Sequence, residues 1–111
     1  MIKVQGRVIS VIQNNSGTLT FVFYDAENKS VELSDYTVTF MVKKSKTDAD
    51  SKAIITKTYD DISGNALELS LLEEDTAAKV GYYWWSILLT SGTYKNEVIS
   101  GQFYIIDGVQ D

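Results

Sequence analysis

The carboxylates are this sequence's main candidates for acid–base or metal-ligand work, and several come close together: Asp60 beside Asp61, Glu73 beside Glu74, and Asp48 two residues before Asp50. Paired carboxylates do acid–base work when they face one another across a cleft and one of them is held protonated. Neighbours in a turn point apart, so neither Asp60 with Asp61 nor Glu73 with Glu74 has a reason to share a proton. The stretch "DADSK", Asp48 to Lys52, has the spacing that opens a calcium loop but lacks the glycine of its sharp turn and the closing glutamate. There is no histidine and no cysteine, which removes the commonest general base, the commonest transition-metal ligand and the thiolate nucleophile together. Gly-x-Ser-x-Gly, Ser-x-x-Lys and glycine-rich phosphate loops are absent as well. The expectation is a protein without catalysis, metal or cofactor.

Aromatic side chains are what remain. The stretch "GYYWWSILLT", residues 81–90, places four aromatics in a row before nearly unbroken aliphatics. A strand resting on a core needs apolar residues only at alternate positions, because successive side chains leave opposite faces. Here both faces are apolar, so one of them has a second use.

Composition limits what that use can be. The chain has 111 residues, 44% of them hydrophobic and 23% charged, which suits one globular domain over residues 1–111. Its net charge of −5 argues against nucleic acid and anionic membrane surfaces as partners, since both demand an electropositive face. The basic cluster Lys43, Lys44 and Lys46 is followed at once by Asp48 and Asp50 and reads as a solvated loop. The N-terminus has no continuous apolar core of a signal peptide, and the longest apolar run is far short of a membrane helix. Synthesis in the cytoplasm is expected, and the sequons at Asn14 and Asn28 carry no weight without secretion.

Period-two patterns separated by turn residues recur along the chain, the signature of an antiparallel all-β domain. Seven strands are expected: Val4 to Ile12, "TLTFVFYD", "YTVTFMVKK", "AIITKTY", "ALELSL", Tyr82 to Thr90, and Glu97 to Asp107. Asn14 to Gly17 supplies a turn able to take positive φ, and "SGTYKN" turns the sixth strand into the seventh. Between the fifth and sixth strands, "SLLEEDTAAKVG" has Ser70 and Glu73 at the spacing of a capping box, Lys79 for a last turn and Gly81 to end it, which predicts a short helical crossover. Seven short strands with one crossover favour an immunoglobulin-like antiparallel β-sandwich over a small barrel. Without proline, edge protection falls to Lys43, Lys52 and Lys57.

The alternation assigns Tyr83, Trp85, Ile87 and Leu89 inward with Ile99, Gly101, Phe103 and Ile105. Tyr82 or Tyr83 is placed to make the corner hydrogen bond common in such sandwiches. The outer face then carries Tyr82, Trp84, Leu88, Val98 and Tyr104, with Ile106 at its margin and Met41 beside them if the third strand is adjacent. Tyrosine and tryptophan are enriched at binding hot spots, so this face is the candidate interface. The competing expectation is that the N-terminal segment or the crossover folds over it.

The succession "VELSDYTVTFMVKK", "ALELSLLEEDTAAKVGYYWWSILLT" and "NEVISGQFYI" resembles small β-sandwich domains of tailed-phage and prophage virion proteins, of the kind found in baseplate upper proteins and in tail or fibre-associated proteins. Their pattern runs "LSGYTVTFxVK", then "LTxEDTAxLxxGxYxYxIxL", then "SGxFxV", and the likeness covers roughly residues 18–106. It implies a structural or attachment role in a virion, with other copies of the chain or other virion proteins as partners. The family pattern is usually polar at some positions where this chain has Trp84 and Leu88, which strengthens the interface reading. A carbohydrate-binding or host-attachment module is the alternative: Trp84, Tyr82, Tyr94 and Tyr104 would form a platform for a glycan, with Ser86, Ser100, Gln102 and Asn96 as polar neighbours.

Overall fold

The structure, a computed structural model, describes residues 2–4, 8–25, 27–91 and 94–107, of which 2–4, 8, 25 and 94–99 are described in the backbone alone. Among the described residues the fold is all-β, with eight strands in two sheets: β1 (Ile2–Val4), β2 (Val8–Ile12), β3 (Gly17–Asp25), β4 (Thr37–Lys43), β5 (Ile55–Tyr59), β6 (Ala66–Leu71), β7 (Gly81–Ser91) and β8 (Tyr94–Ile106). One sheet has the order β1-β3-β6 and the other β2-β8-β7-β4-β5. Among the described residues the only helical pieces are two single 3₁₀ turns, Leu33–Asp35 and Asp50–Lys52. No helix among them is long and apolar enough to cross a membrane.

Alternation in the sequence places the core. In β4, Val38, Phe40 and Val42 are fully buried while Thr37, Thr39 and Met41 are only partly so; in β6, Leu67, Leu69 and Leu71 are buried while Ala66, Glu68 and Ser70 are exposed. Tyr83, Trp85, Ile87 and Leu89 of β7 point inward with Phe103 and Ile105 of β8. Trp85 joins the sheets, its ring 5.4 Å from Phe21 of β3 and 6.3 Å from Phe40 of β4. Burying side chains of this size contributes about 2–3 kcal/mol each through area alone.

The expected first strand does not form as one. It divides into β1, antiparallel to β3, and β2, which crosses to the other sheet and runs parallel to β8 with Ile9 opposite Phe103. This raises the count from seven strands to eight and makes the second sheet mixed. Ile9 is buried and Val11 packs on the core, so the period-two pattern holds on each piece although the partner strand changes.

The crossover between β6 and β7 is not helical. β6 continues to Leu71, whose side chain is buried, and Ser70 stays in the strand instead of capping a helix. A single turn follows: Asp75 N–H donates to Leu72 O and Thr76 N–H to Glu73 O, while the Asp75 carboxylate draws in Leu72 N–H at 2.7 Å. Thr76 is fully buried, and its hydroxyl lies 2.8 Å from Asn15 O and 3.2 Å from Glu73 O. With Asn14 N–H donating to Thr76 O and Gln13 Nε2 to Ala78 O, the segment is tied to the β2–β3 turn and cannot wind into a helix. Gly81 opens β7 at φ 156° instead of closing a helix.

The turn at Asn14 takes positive φ as expected, at 64°. Between β7 and β8 the strands run further than the sequence pattern indicates, to Ser91 and from Tyr94, and residues 92 and 93 lie outside the described residues. The edge lysines are also redistributed. Lys57 is in the edge strand β5, Lys52 ends a 3₁₀ turn, and Lys43 is in the interior strand β4.

Candidate functional site

Because Phe40, Trp85 and Phe103 point inward, the alternate residues of β4, β7 and β8 form the outer face of the five-stranded sheet. Backbone pairing lays this face out in rows. Tyr82 lies opposite Tyr104; Trp84 sits between Gln102 and Lys43; Ser86 sits between Ser100 and Met41; Leu88 lies opposite Thr39 on one side and Glu97 on the other.

Three of the candidate interface residues are brought together at one end. The Tyr82 and Tyr104 rings meet edge to face with centroids 4.9 Å apart, and the Tyr104 hydroxyl donates to Gln102 Oε1. Trp84 lies in the next row. Tyr82 is 74% exposed, far more than any other large apolar side chain described. Beside this row Ile12 of β2 pairs with Ile106 of β8, and both are exposed, at 40% and 44%. Ile12 is absent from the sequence-based set because its sheet position depends on the parallel pairing of β2.

Met41 and Leu88 share the face but are half-buried; Met41 stands in the same row as Ser86 and Ser100, next to the Trp84 row, and Leu88 lies one row further from the Tyr82 and Tyr104 pair. Tyr82, Trp84 and Tyr104 thus occupy two adjoining rows at one end of the face, with Met41 one row and Leu88 two rows beyond Trp84. The side chain of Val98 lies outside the described residues. In the backbone it is the residue left unopposed where the register shifts, Ile87 pairing with Ile99 but Leu88 with Glu97.

Neither the N-terminal strand nor the crossover forms the expected cover. β2 extends the sheet at its edge, and among the described residues the β4–β5 loop reaches over the face. The Lys46 ammonium stands 4.4 Å from the centroid of the Trp84 ring, a cation–π contact, and Lys44 lies 4.8 Å from the Tyr83 ring while donating to Tyr82 O. Lys43 binds the Asp50 carboxylate at 2.6 Å and Asp48 O at 3.1 Å. Asp48 in turn accepts from Ser45 N–H, and Ile54 N–H donates to Val42 O. Asp48 and Asp50 thus fold the loop and hold Lys43 at its start, the opposite of a cation loop. The basic run is packed on aromatic rings as well as solvated, a long-range contact no local pattern announces.

The other carboxylate pairs do not converge. Asp60 accepts from the Thr37 hydroxyl at 2.7 Å, Asp61 takes a turn conformation at φ 56°, and Glu73 and Glu74 are exposed. Among the described residues no group of three or more His, Cys, Asp or Glu side chains is placed to hold a metal ion. What the face offers is aromatic area and donor groups along β7 and β8, bordered by Lys43 of β4 and Lys46 of the β4–β5 loop. Comparison with protein-family models and with curated proteins finds no match for the chain.

Proposed function

We propose that the chain is an immunoglobulin-like β-sandwich acting as a non-enzymatic assembly module of a tailed-phage or prophage virion, in its baseplate, tail or fibre, and that it associates with further copies of itself through the outer face of β7 and β8. The strand arrangement supports the sandwich reading: a first strand divided between two sheets, its second half parallel to the last strand, and a sheet of five facing a sheet of three. A tyrosine corner supports it too, since the Tyr83 hydroxyl donates to Lys79 O at 2.7 Å and Tyr83 precedes the core residue Trp85 by two positions. In such domains a disulfide joins the second strand to the sixth beside a tryptophan. In this cysteine-free chain Phe21, Trp85 and Phe40 fill the comparable space.

The observation that carries the assembly reading is the exposure of Tyr82 at 74% within an apolar end that also presents Ile12, Ile106 and Tyr104. Large aromatic and aliphatic groups left in water together mark surfaces made to be covered. Hydroxyl-radical footprinting over a concentration series tests this: Tyr82 should become protected as concentration rises, while Tyr59 on β5 keeps constant reactivity. Unchanged labelling of Tyr82 over that range contradicts it.

A host-attachment reading, in which the same face takes a glycan, is favoured by one specific feature. The Trp84 indole N–H and the Ser86 and Ser100 hydroxyls make no hydrogen bond with the protein among the described residues, yet all border one hollow. Protein–protein faces do not require such a donor cluster, whereas saccharide sites do.

A further inference from the structure

We propose that the hollow beside Trp84 binds the carboxylate of an acidic saccharide, with an adjoining sugar ring lying on Tyr82. The inference rests on the host-attachment reading and is an alternative to self-assembly, since both would occupy Tyr82. The hollow has a volume of about 240 Å³ and is lined by Lys43, Lys46, Trp84, Trp85, Ser86 and Ser100. Ser86 and Ser100 lie directly opposite one another on β7 and β8, so their free hydroxyls converge. A hydroxyl can turn to donate, an indole N–H only donates, and an ammonium only donates, so the lining is built for an acceptor-rich group.

Charge points the same way. Lys43 and Lys46 border the hollow, while the Asp50 carboxylate is bound to Lys43 at 2.6 Å and the Asp48 carboxylate is turned to Ser45 N–H. Lys46 is thus the lining cation with no carboxylate partner among the described residues, and bonds from charged donors to a carboxylate are the strong class. Lys46 is held over the Trp84 ring by its cation–π contact, which orders the ammonium before a ligand arrives.

A second depression, of about 420 Å³, adjoins the first across Trp84 and is lined by Tyr82, Tyr83, Trp84, Gln102 and Tyr104. The Gln102 carbonyl oxygen is engaged by the Tyr104 hydroxyl, which leaves the Gln102 NH₂ for a sugar hydroxyl. From Tyr82 to Ser86 is four residues of strand, about 13 Å at the usual rise, a span for more than one sugar ring. The ligand class that matches both depressions is a short saccharide with a carboxylate on one unit.

The test is an NMR titration of the whole chain, following the Trp84 indole N–H and the Ser86 and Ser100 amides. Three probes are compared: a tetrasaccharide of alternating glucuronate and N-acetylglucosamine, the same tetrasaccharide with its carboxylates reduced to alcohols, and inorganic phosphate. The expected result is saturable shifts with the acidic tetrasaccharide, and affinity about tenfold weaker for the reduced form and for Lys46→Met, as loss of one charge-assisted bond implies. Equal affinity of the acidic and reduced forms overturns the carboxylate assignment and leaves glycan attachment standing. Phosphate binding as tightly as the tetrasaccharide overturns the saccharide assignment. A folded Lys46→Met with unchanged affinity removes the role of the ammonium. No response to either tetrasaccharide overturns both this inference and the attachment reading beneath it.

Discussion

The Lys57 ammonium and the Asp75 carboxylate meet at 2.7 Å on the inward side of the edge strand β5, where Lys57 stands opposite the buried Phe40 of β4. An inward-pointing charge on an edge strand discourages pairing with a second sheet, and here its counter-charge comes from the turn that leads into β7. Asp75 also holds Leu72 N–H, so one carboxylate ties the sheet edge to the chain that delivers Tyr82 and Trp84 to the outer face. Both side chains are largely shielded from water, and removing the anion leaves a desolvated ammonium and an unpaired N–H. Asp75→Ala is expected to cost about 2–3 kcal/mol in urea unfolding, with Lys57→Met costing less because the methionine keeps the apolar stem. Equal stability of Asp75→Ala and the native chain contradicts this.

Tyr83→Phe tests the corner bond to Lys79 O. The ring stays buried and only the hydroxyl is lost, so the fold is retained at a cost of about 1–2 kcal/mol in chemical denaturation. A variant as stable as the native protein shows that the bond does not anchor the start of β7.

Adjacent tryptophans give the sharpest check on which face is which. Trp85 is 1% exposed among Phe21 and Phe40, and Trp85→Ala should cost about 3–5 kcal/mol by leaving a cavity. Trp84 lies on the outer face under Lys46, and Trp84→Ala should cost about 1 kcal/mol or less, the size of an exposed cation–π contact. Comparable losses for the two would overturn the inward and outward assignment.

Acid tests a smaller contact. The Glu32 carboxylate accepts Gly64 N–H at 2.9 Å, and that bond, with help from Ser34, holds its pKa below the usual glutamate range. A carboxyl whose pKa is lower folded than unfolded stabilises the fold above its unfolded pKa, and loses that contribution as pH falls through the folded value. A carbon-detected NMR titration should therefore place the Glu32 midpoint below that of glutamate in an unstructured peptide, and Glu32→Gln should remove this part of the acid dependence. A midpoint at or above the free value contradicts the bond.

Much of this was legible in the residues. β4, β6 and β7 follow from strict alternation because each buries one face, and the inward set of β7 was distinguishable by Ser86, the one small polar residue of the other set. The helix expected after β6 was not an unreasonable reading, since Ser70, Glu73 and Gly81 have the spacing of caps. What decides against it is remote in sequence: Lys57 claims Asp75, and Asn15 claims Thr76. The split of the first strand is likewise unreadable locally, because both halves alternate and only the pairing of β2 with β8 moves Ile12 to the outer face. Periodicity places Tyr82, Trp84, Tyr104, Met41 and Leu88 by face but not by row, and only the strand register shows Met41 and Leu88 in the rows beyond Trp84.

The most direct test of the assembly account is the solution mass of the native chain and of Tyr82→Ser, measured by light scattering on a size-exclusion column over a concentration series. Tyr82 is the side chain to change because it is the most exposed and its loss leaves the core intact. The account predicts a defined oligomer for the native chain and a folded monomer for the variant. A native chain that stays monomeric at every concentration, or a variant with the native oligomer mass, contradicts self-assembly through this face.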